Sequence, residues 1–181
     1  MRQDFFFAGL GGQGVLFAGQ ALAHAAMLSG LEVTWVPAYE PEVRGGAVMC
    51  TVVVADGSVG SPIVMRPHNL ALMEQRAVDK HLASAADGAL VIINQSLAEV
   101  PQGVDGVRIV AVPANELAAE AGSERCANIV VLGVLLSLRP VVEPEVVETA
   151  LEQSTPAHRR EMAEINVAAL RLGLEHGRRL A

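Results

Sequence analysis

Aromatic side chains are scarce, at 3% of the chain, although apolar residues of all kinds reach 51%. A core of stacked rings is thereby excluded, and Val, Leu, Ile and Ala must fill the interior, as in a sheet covered by helices. Long apolar runs are also lacking. The longest, from Ile129 to Leu138, is about half the ~20 residues that a membrane-spanning helix needs. The N-terminus shows no basic-then-apolar leader pattern, so a cytoplasmic chain without a membrane partner is expected. Positive charge is in deficit: 13 Lys and Arg stand against 20 Asp and Glu, a net charge of −7. A nucleic-acid partner is not expected, because a backbone binder presents clustered cations.

Catalytic signatures are missing as well. Only two cysteines occur, Cys50 and Cys126, and such a widely separated pair supplies neither the ligands of an iron–sulfur cluster nor those of a structural zinc. Buried, reduced thiols are expected instead. His24, His68, His81, His158 and His176 include no H-x-H or H-x-x-x-H pair, so no intrinsic metal is expected. There is no G-x-S-x-G elbow for a serine nucleophile and no Gly-Lys-Ser/Thr of a P-loop.

What the chain has is glycine and regular apolar segments. Its 181 residues suit a single domain, 1–181. Phe5 to Ala8 reads as a strand, Val15 to Ser29 as a helix that Gly30 ends, and Glu32 to Val36 as a second strand reached by a crossover into a parallel sheet. Pro37 to Val48 reads as a charged loop, because its prolines and Gly45-Gly46 oppose a regular element. Gly46 to Ala55 is a strand, with Val59 to Val64 expected to return beside it as a hairpin after the Asp56-Gly57 turn. Leu70 to Ala86 reads as a helix with an imperfect apolar stripe, and Ala89 to Ile93 and Val107 to Val112 as interior strands. Helices follow at Asn115 to Ala121, Ala127 to Leu138, Glu145 to Gln153 and Ala157 to Gly177, the last capped by Thr155 with Pro156 at its first position and burying Met162, Ile165, Ala169 and Leu172. The expected fold is α/β in three layers, α/β/α, with a Rossmann-like, mostly parallel sheet, an antiparallel hairpin portion and a helical C-terminal region.

The first loop, Gly9-x-Gly11-Gly12-Gln13-Gly14, matches a dinucleotide fingerprint, which works through backbone N–H groups at a helix N-terminus. A nicotinamide site also needs an acid at the end of the second strand, for the ribose hydroxyls. That strand ends Trp35-Val36-Pro37, with Glu32 at its wrong end and Glu40 inside the following loop. Two readings stay open: a free-standing NAD(P)- or flavin-binding oxidoreductase using Gly9 to Gly14, and a glycine turn that docks another ligand or a partner. The second unusual loop, Tyr39 to Gly46, places Glu40, Glu42 and Arg44 beside Gly45 and Gly46. It reads either as a recognition element or as a solvated ion-pair cluster.

Taken in order, Gly9 to Gly14, Tyr39 to Gly46, Ser61-Pro62, Asn128 with Gly133, and Asn166 with Gly173 resemble the gamma subunit of the 2-oxoacid:ferredoxin oxidoreductases. The family pattern departs at Glu40, where a glycine commonly follows the tyrosine. The resemblance implies a complex that converts a 2-oxoacid reversibly to acyl-CoA, with thiamine diphosphate as cofactor and ferredoxin as electron acceptor. It implies alpha and beta subunits, and in some complexes a delta subunit, that carry the thiamine diphosphate and the iron–sulfur clusters. This chain lacks both Gly-Asp-Gly and cluster cysteines, so it is expected to be inactive alone, without catalytic residues. Its ligand-facing candidates are Gly9, Gly11, Gly12, Gln13, Gly14, Tyr39, Arg44, Gly45 and Gly46, with coenzyme A the ligand that a helix N-terminus and Arg44 suggest. An isolated chain is expected to cover its partner surface by forming a homodimer.

Overall fold

Among the described residues, six strands form one sheet in the order β2-β3-β1-β4-β5-β6. The computed structural model describes residues 1–39, 46–156 and 159–181. In chain order the elements are β1 (Arg2–Leu10), α1 (Val15–Leu28), β2 (Glu32–Tyr39), β3 (Ala47–Ala55), β4 (Asn69–Leu72), α2 (Gln75–His81), β5 (Ala89–Asn94), β6 (Val107–Val112), α3 (Ala114–Ala121), α4 (Ala127–Leu138), α5 (Pro144–Ser154) and α6 (Arg160–Arg178). The pairs β1–β4, β4–β5 and β5–β6 are parallel, whereas β3 runs antiparallel to both β1 and β2. The expected α/β fold with a parallel majority and an antiparallel part is therefore present.

Every residue of β4 and of β5 is buried, as the continuous apolar sequences of covered strands require. The two faces are unequally covered. One receives α1, α3, α4, α5 and α6 against Phe5, Phe7, Cys50, Val52, Val54, Leu90 and Ile92. The other receives α2 and the 3₁₀ turn Leu82–Ser84, packed on Ala8, Leu70, Leu72, Val91 and Ile93. Helix α4 is apolar all round because it lies between the sheet and α6. Gly133 and Gly173 let these helices touch: a Cβ on Gly133 would lie 2.5 Å from the Leu170 carbonyl oxygen, and one on Gly173 would strike that of Val130.

Several expectations need correction. Val59 to Val64 forms no strand; the antiparallel partners of β3 are β2 and β1. Strand β2 runs in the direction of β1, as a crossover demands, yet β3 is inserted between them. Pro37 lies inside β2 opposite Cys50, and an edge strand tolerates proline because its outer N–H positions need no partner. The expected helix over Leu70 to Ala86 divides into β4 and α2, since Asn69–Leu72 is buried on both faces and Glu74 starts the helix afresh. Its carboxylate accepts from the Arg76 and Ala77 N–H groups at 2.9 and 2.8 Å.

Thr155 does not open the last helix. It ends α5, where its hydroxyl donates to the Leu151 carbonyl at 2.9 Å, and α6 begins at Arg160. The expected start at Ala157 lies outside the described residues. The buried stripe of α6 runs through Ala163, Asn166, Leu170, Gly173 and Gly177, with Met162, Ile165 and Leu172 at its flank. Small residues lie at its centre because α4 approaches so closely there.

Candidate functional site

Between β1 and β4 the chain changes sides: α1 leaves β1 over one face, and α2 leaves β4 over the other. Such a switch point opens a crevice at the carboxyl ends of the strands, where open α/β sheets bind ligands. The Gly9 to Gly14 loop fills this position. Its Gln13 side chain turns inward, and Oε1 accepts from the Leu10 N–H at 2.7 Å. Gly9 is packed so closely that a Cβ would meet Gln13 and lie 2.9 Å from the Met73 Cβ.

The later turn is left-handed. Gly12 has φ 98° and Gly14, the N-cap of α1, has φ 71°, values that residues with a Cβ adopt at a cost. A Cβ on Gly14 would also lie 2.5 Å from Asn128 Nδ2. Asn128, in the first turn of buried α4, donates from that nitrogen to the Gly14 carbonyl at 2.9 Å. The same carbonyl accepts the Ala18 N–H at 3.0 Å. The preceding N–H groups of α1, from Val15 to Phe17, have no partner inside the helix and carry the positive end of its dipole.

Gly46 joins this loop. Its carbonyl accepts from the Gly11 N–H at 3.0 Å, so the two motif loops meet through the backbone. Tyr39 closes β2 opposite Val48 and is 64% exposed. Arg44 and Gly45, with Glu40 and Glu42, lie outside the described residues. The structure therefore brings Gly9, Gly11, Gly12, Gln13, Gly14 and Gly46 together and places Tyr39 on the strand leading to them.

Two crevices open beside the loop. One, of about 370 Å³, is bounded by Gly12, Gly14, Phe17, Arg125, Asn128 and Arg159. The second, of about 220 Å³, lies between Gly12, Gln13, Met73, Asn94, Asn115 and Arg125. Arg125 borders both, in the turn that leads into α4. Asn94 stiffens the second wall: its Nδ2 donates to Asn115 Oδ1 at 3.0 Å, and its Oδ1 accepts from the Ala114 N–H at 3.3 Å. Nearby, the Ser96 hydroxyl donates to Glu116, which holds that exposed carboxyl below the usual range. A third crevice, of about 210 Å³, lies across the sheet between Leu10, Gly46, Val48, Glu74, Arg76 and Lys80.

Sequence reasoning missed Arg125, Arg159 and the anchoring role of Asn128. Asn128 was visible as a motif residue, but its partner Gly14 lies at the far end of the sequence. Arg125 had only a weak signal, a lone cation in the polar turn Gly122-Ser123-Glu124 that precedes a long apolar helix.

The cysteines stand apart from this chemistry. Cys50 is buried beneath α1, and its thiol is pushed up to about 12 by desolvation, eased by Trp35 and the Gly19 backbone. Cys126 donates its thiol hydrogen to Asn166 Oδ1 at 3.1 Å, and burial raises its pKa too. Among the described residues no group of three or more His, Cys, Asp and Glu is placed to hold a metal ion. No described helix is long and apolar enough to cross a membrane. The nicotinamide alternative finds no support: the neighbour of β1 on that side is antiparallel β3, so no parallel strand brings a ribose-binding acid beside the loop.

Residues 4–176 match the family model described as pyruvate ferredoxin/flavodoxin oxidoreductase. The ketoisovalerate oxidoreductase subunit VorA of Methanothermobacter thermautotrophicus is 38% identical over 172 residues, 94% of this chain and 35% of VorA. The chain thus spans about a third of the length of that relative. The keto/oxoacid ferredoxin oxidoreductase gamma subunit of Geobacter sulfurreducens superposes with a TM-score of 0.83 at 30% identity, over 98% of this chain and 97% of that one. At 21% identity, a chain of the 2-oxoglutarate:ferredoxin oxidoreductase from Magnetococcus marinus, solved with 2-oxoglutarate, coenzyme A and succinyl-CoA bound, shares the fold. Its TM-score is 0.89, over 99% of this chain and 32% of that one.

Proposed function

Because the chain belongs to the pyruvate ferredoxin/flavodoxin oxidoreductase family, we propose that it is the gamma component of a 2-oxoacid:ferredoxin oxidoreductase and supplies part of the coenzyme A site. The reaction is the oxidative decarboxylation of a 2-oxoacid to an acyl-CoA, with two electrons passing to ferredoxin. Thiamine diphosphate, when bound, supplies the carbanion stabilisation. Its site belongs to the alpha and beta subunits, since no Gly-Asp-Gly exists in this sequence. Cluster ligation belongs there, or on a delta subunit, for a similar reason: Cys50 and Cys126 are protonated, buried thiols that serve packing and a hydrogen bond.

The observation that carries the coenzyme A assignment is the convergence of two kinds of anion-binding group on one crevice. The amino end of α1 offers N–H groups, and Arg125 and Arg159 border the same space. Backbone N–H groups with a helix dipole favour a phosphate, and guanidinium groups add charge-assisted hydrogen bonds. Gly12 has open space where a Cβ would stand, which leaves the backbone accessible to a ligand. Gly11 is engaged by Gly46, so it shapes the loop and Gly12 presents it. Tyr39 ends the strand that precedes this surface, and Arg44 and Gly45, ligand-facing candidates from the sequence, lie outside the described residues. In this role the chain binds and orients the thiol donor, and the thiamine-bearing subunits perform the bond changes.

Calorimetric titration of the assembled complex with coenzyme A tests the reading. Arg125→Ala is expected to weaken binding by about tenfold or more, as the loss of a charge-assisted contact predicts, with KM for the 2-oxoacid unchanged. Unaltered affinity in both Arg125→Ala and Arg159→Ala would remove this chain from the coenzyme A site.

A further inference from the structure

The helix-poor face of the sheet is only partly covered over its β2–β3 half: Val53 is fully buried, whereas Met49 and Thr51 are half-buried and Val36 and Ala38 are exposed. Alternation places Thr34, Val36 and Ala38 of β2 on this face, because Val33 and Trp35 pack with the helices opposite. Register then aligns Val36 with Thr51 and Phe6, and Ala38 with Met49 and Ala8. These rows form an apolar strip. Helix α2 lies over β1 and β4, and Val36, at the sheet edge, remains 44% exposed. Beside the foot of the strip, the segment after β3 crosses to β4, tied by Arg2 to the Ser61 carbonyl at 3.3 Å. It exposes Ile63 by 71% and Met65 by 80%.

On the opposite exterior, the outer sides of α5 and α6 have the character of a wetted surface. Helices α5 and α6 carry outward ion pairs there, Arg171 with Glu148 at 2.7 Å and Arg160 with Glu164 at 3.6 Å. Burying those charges against a partner would cost desolvation, whereas covering Val36, Ile63 and Met65 removes apolar area from water.

We propose that the β2–β3 face, with Ile63 and Met65, docks the larger subunit of the complex. This partner is the chain corresponding to the two-thirds of VorA that lies outside the present fold. The inference rests on the gamma-component reading and adds to it the surface used. Its occupant follows from chain length: this fold is 35% of VorA and nearly the whole of the Geobacter sulfurreducens gamma subunit. A domain that is covalently continuous with a larger one in one relative, and separate in another, must carry a matching apolar surface in both. Among the described residues, Met27 and Leu28 at the end of α1 are also exposed, but the half-covered sheet face with Ile63 and Met65 joins exposed apolar residues from two segments.

The test is co-expression of the full chain with the chain from the same organism that matches the remainder of VorA, followed by light scattering and a pull-down titration. Val36→Lys and Met65→Lys are each expected to weaken the complex by about tenfold or more while the isolated chain keeps its melting temperature. Glu120→Lys, on the exterior of α3, is expected to leave assembly unchanged. Wild-type affinity in both strip variants overturns the docking surface while the gamma-component reading stands. Absence of a complex with the wild-type chain overturns both. A wild-type homodimer that Val36→Lys dissociates, with the hetero-complex unaffected, assigns the strip to a second copy and also overturns the proposal.

Discussion

The Gly11 N–H donates to the Gly46 carbonyl at 3.0 Å, joining the glycine loop after β1 to the residue that precedes β3. These segments are separated in sequence by α1 and β2, and the antiparallel β1–β3 pairing lays Leu10 against Ala47. The contact therefore extends the sheet by one more backbone bond. Two motifs that look independent in the sequence thus touch at Gly11 and Gly46.

Gly14 and Gly12 are expected to respond differently to alanine. Both have positive φ, and the left-handed conformation costs about 1–2 kcal/mol with a Cβ present. Gly14→Ala adds a collision with Asn128, whereas Gly12→Ala meets open space. Urea denaturation should show a clearly larger loss of stability for Gly14→Ala, with Gly12→Ala near the backbone cost alone.

Asn128→Asp is expected to be worse than Asn128→Ala. Alanine removes the donor to Gly14 and costs about 1 kcal/mol. Aspartate presents a buried carboxylate to the same carbonyl, so two acceptors face each other. Thermal unfolding at neutral pH should rank wild type above Ala and Ala above Asp.

The α4–α6 crossing predicts that Gly173→Ala destabilises by about 1–3 kcal/mol, the range for overpacking. The clash is with the Val130 backbone, which cannot rotate away as a side chain would. Chemical denaturation measures it, and an exposed substitution on the same helix, Glu164→Ala, serves as reference.

Cys50 predicts an alkaline limit. Its thiol is held up to about 12 in the folded chain against an ordinary value of 9.0. The folded state thus favours the protonated form. The associated stability is complete below pH 9 and is lost as pH rises from there toward 12, by up to about 1.4 kcal/mol for each pH unit. Stability of Cys50→Ala should fall less steeply with pH over that window, and iodoacetamide should label Cys50 only after unfolding.

Much of this fold was legible because covered strands announce themselves. Ala89 to Ile93 reads as a strand from its unbroken apolar run, and the structure extends it by one residue to Asn94; α1 reads from its alanines between two glycines. Asn69–Leu72 was hidden because four buried residues followed by Glu74 and Gln75 continue smoothly into a helical pattern. The insertion of β3 between β1 and β2 was equally hidden, since local sequence sets strand direction and tertiary packing sets strand order. In the site, glycines were readable because special backbone turns need them. Arg125 and the Asn128 anchor were not, because their partners come from distant parts of the chain.

The anchors at Asn128 and Asn166 also bear on the order in which this protein takes shape during synthesis. Gly14 is held by Asn128 at the start of α4, and Cys126, two residues earlier, is held by Asn166 in α6. Translation adds roughly 5–20 residues each second, so the opening glycine turn leaves the ribosome several seconds before Asn166 exists. Until α6 docks, the turn that leads into α4 lacks the Asn166 contact, and the Asn128 anchor of the first loop stands on an incomplete base.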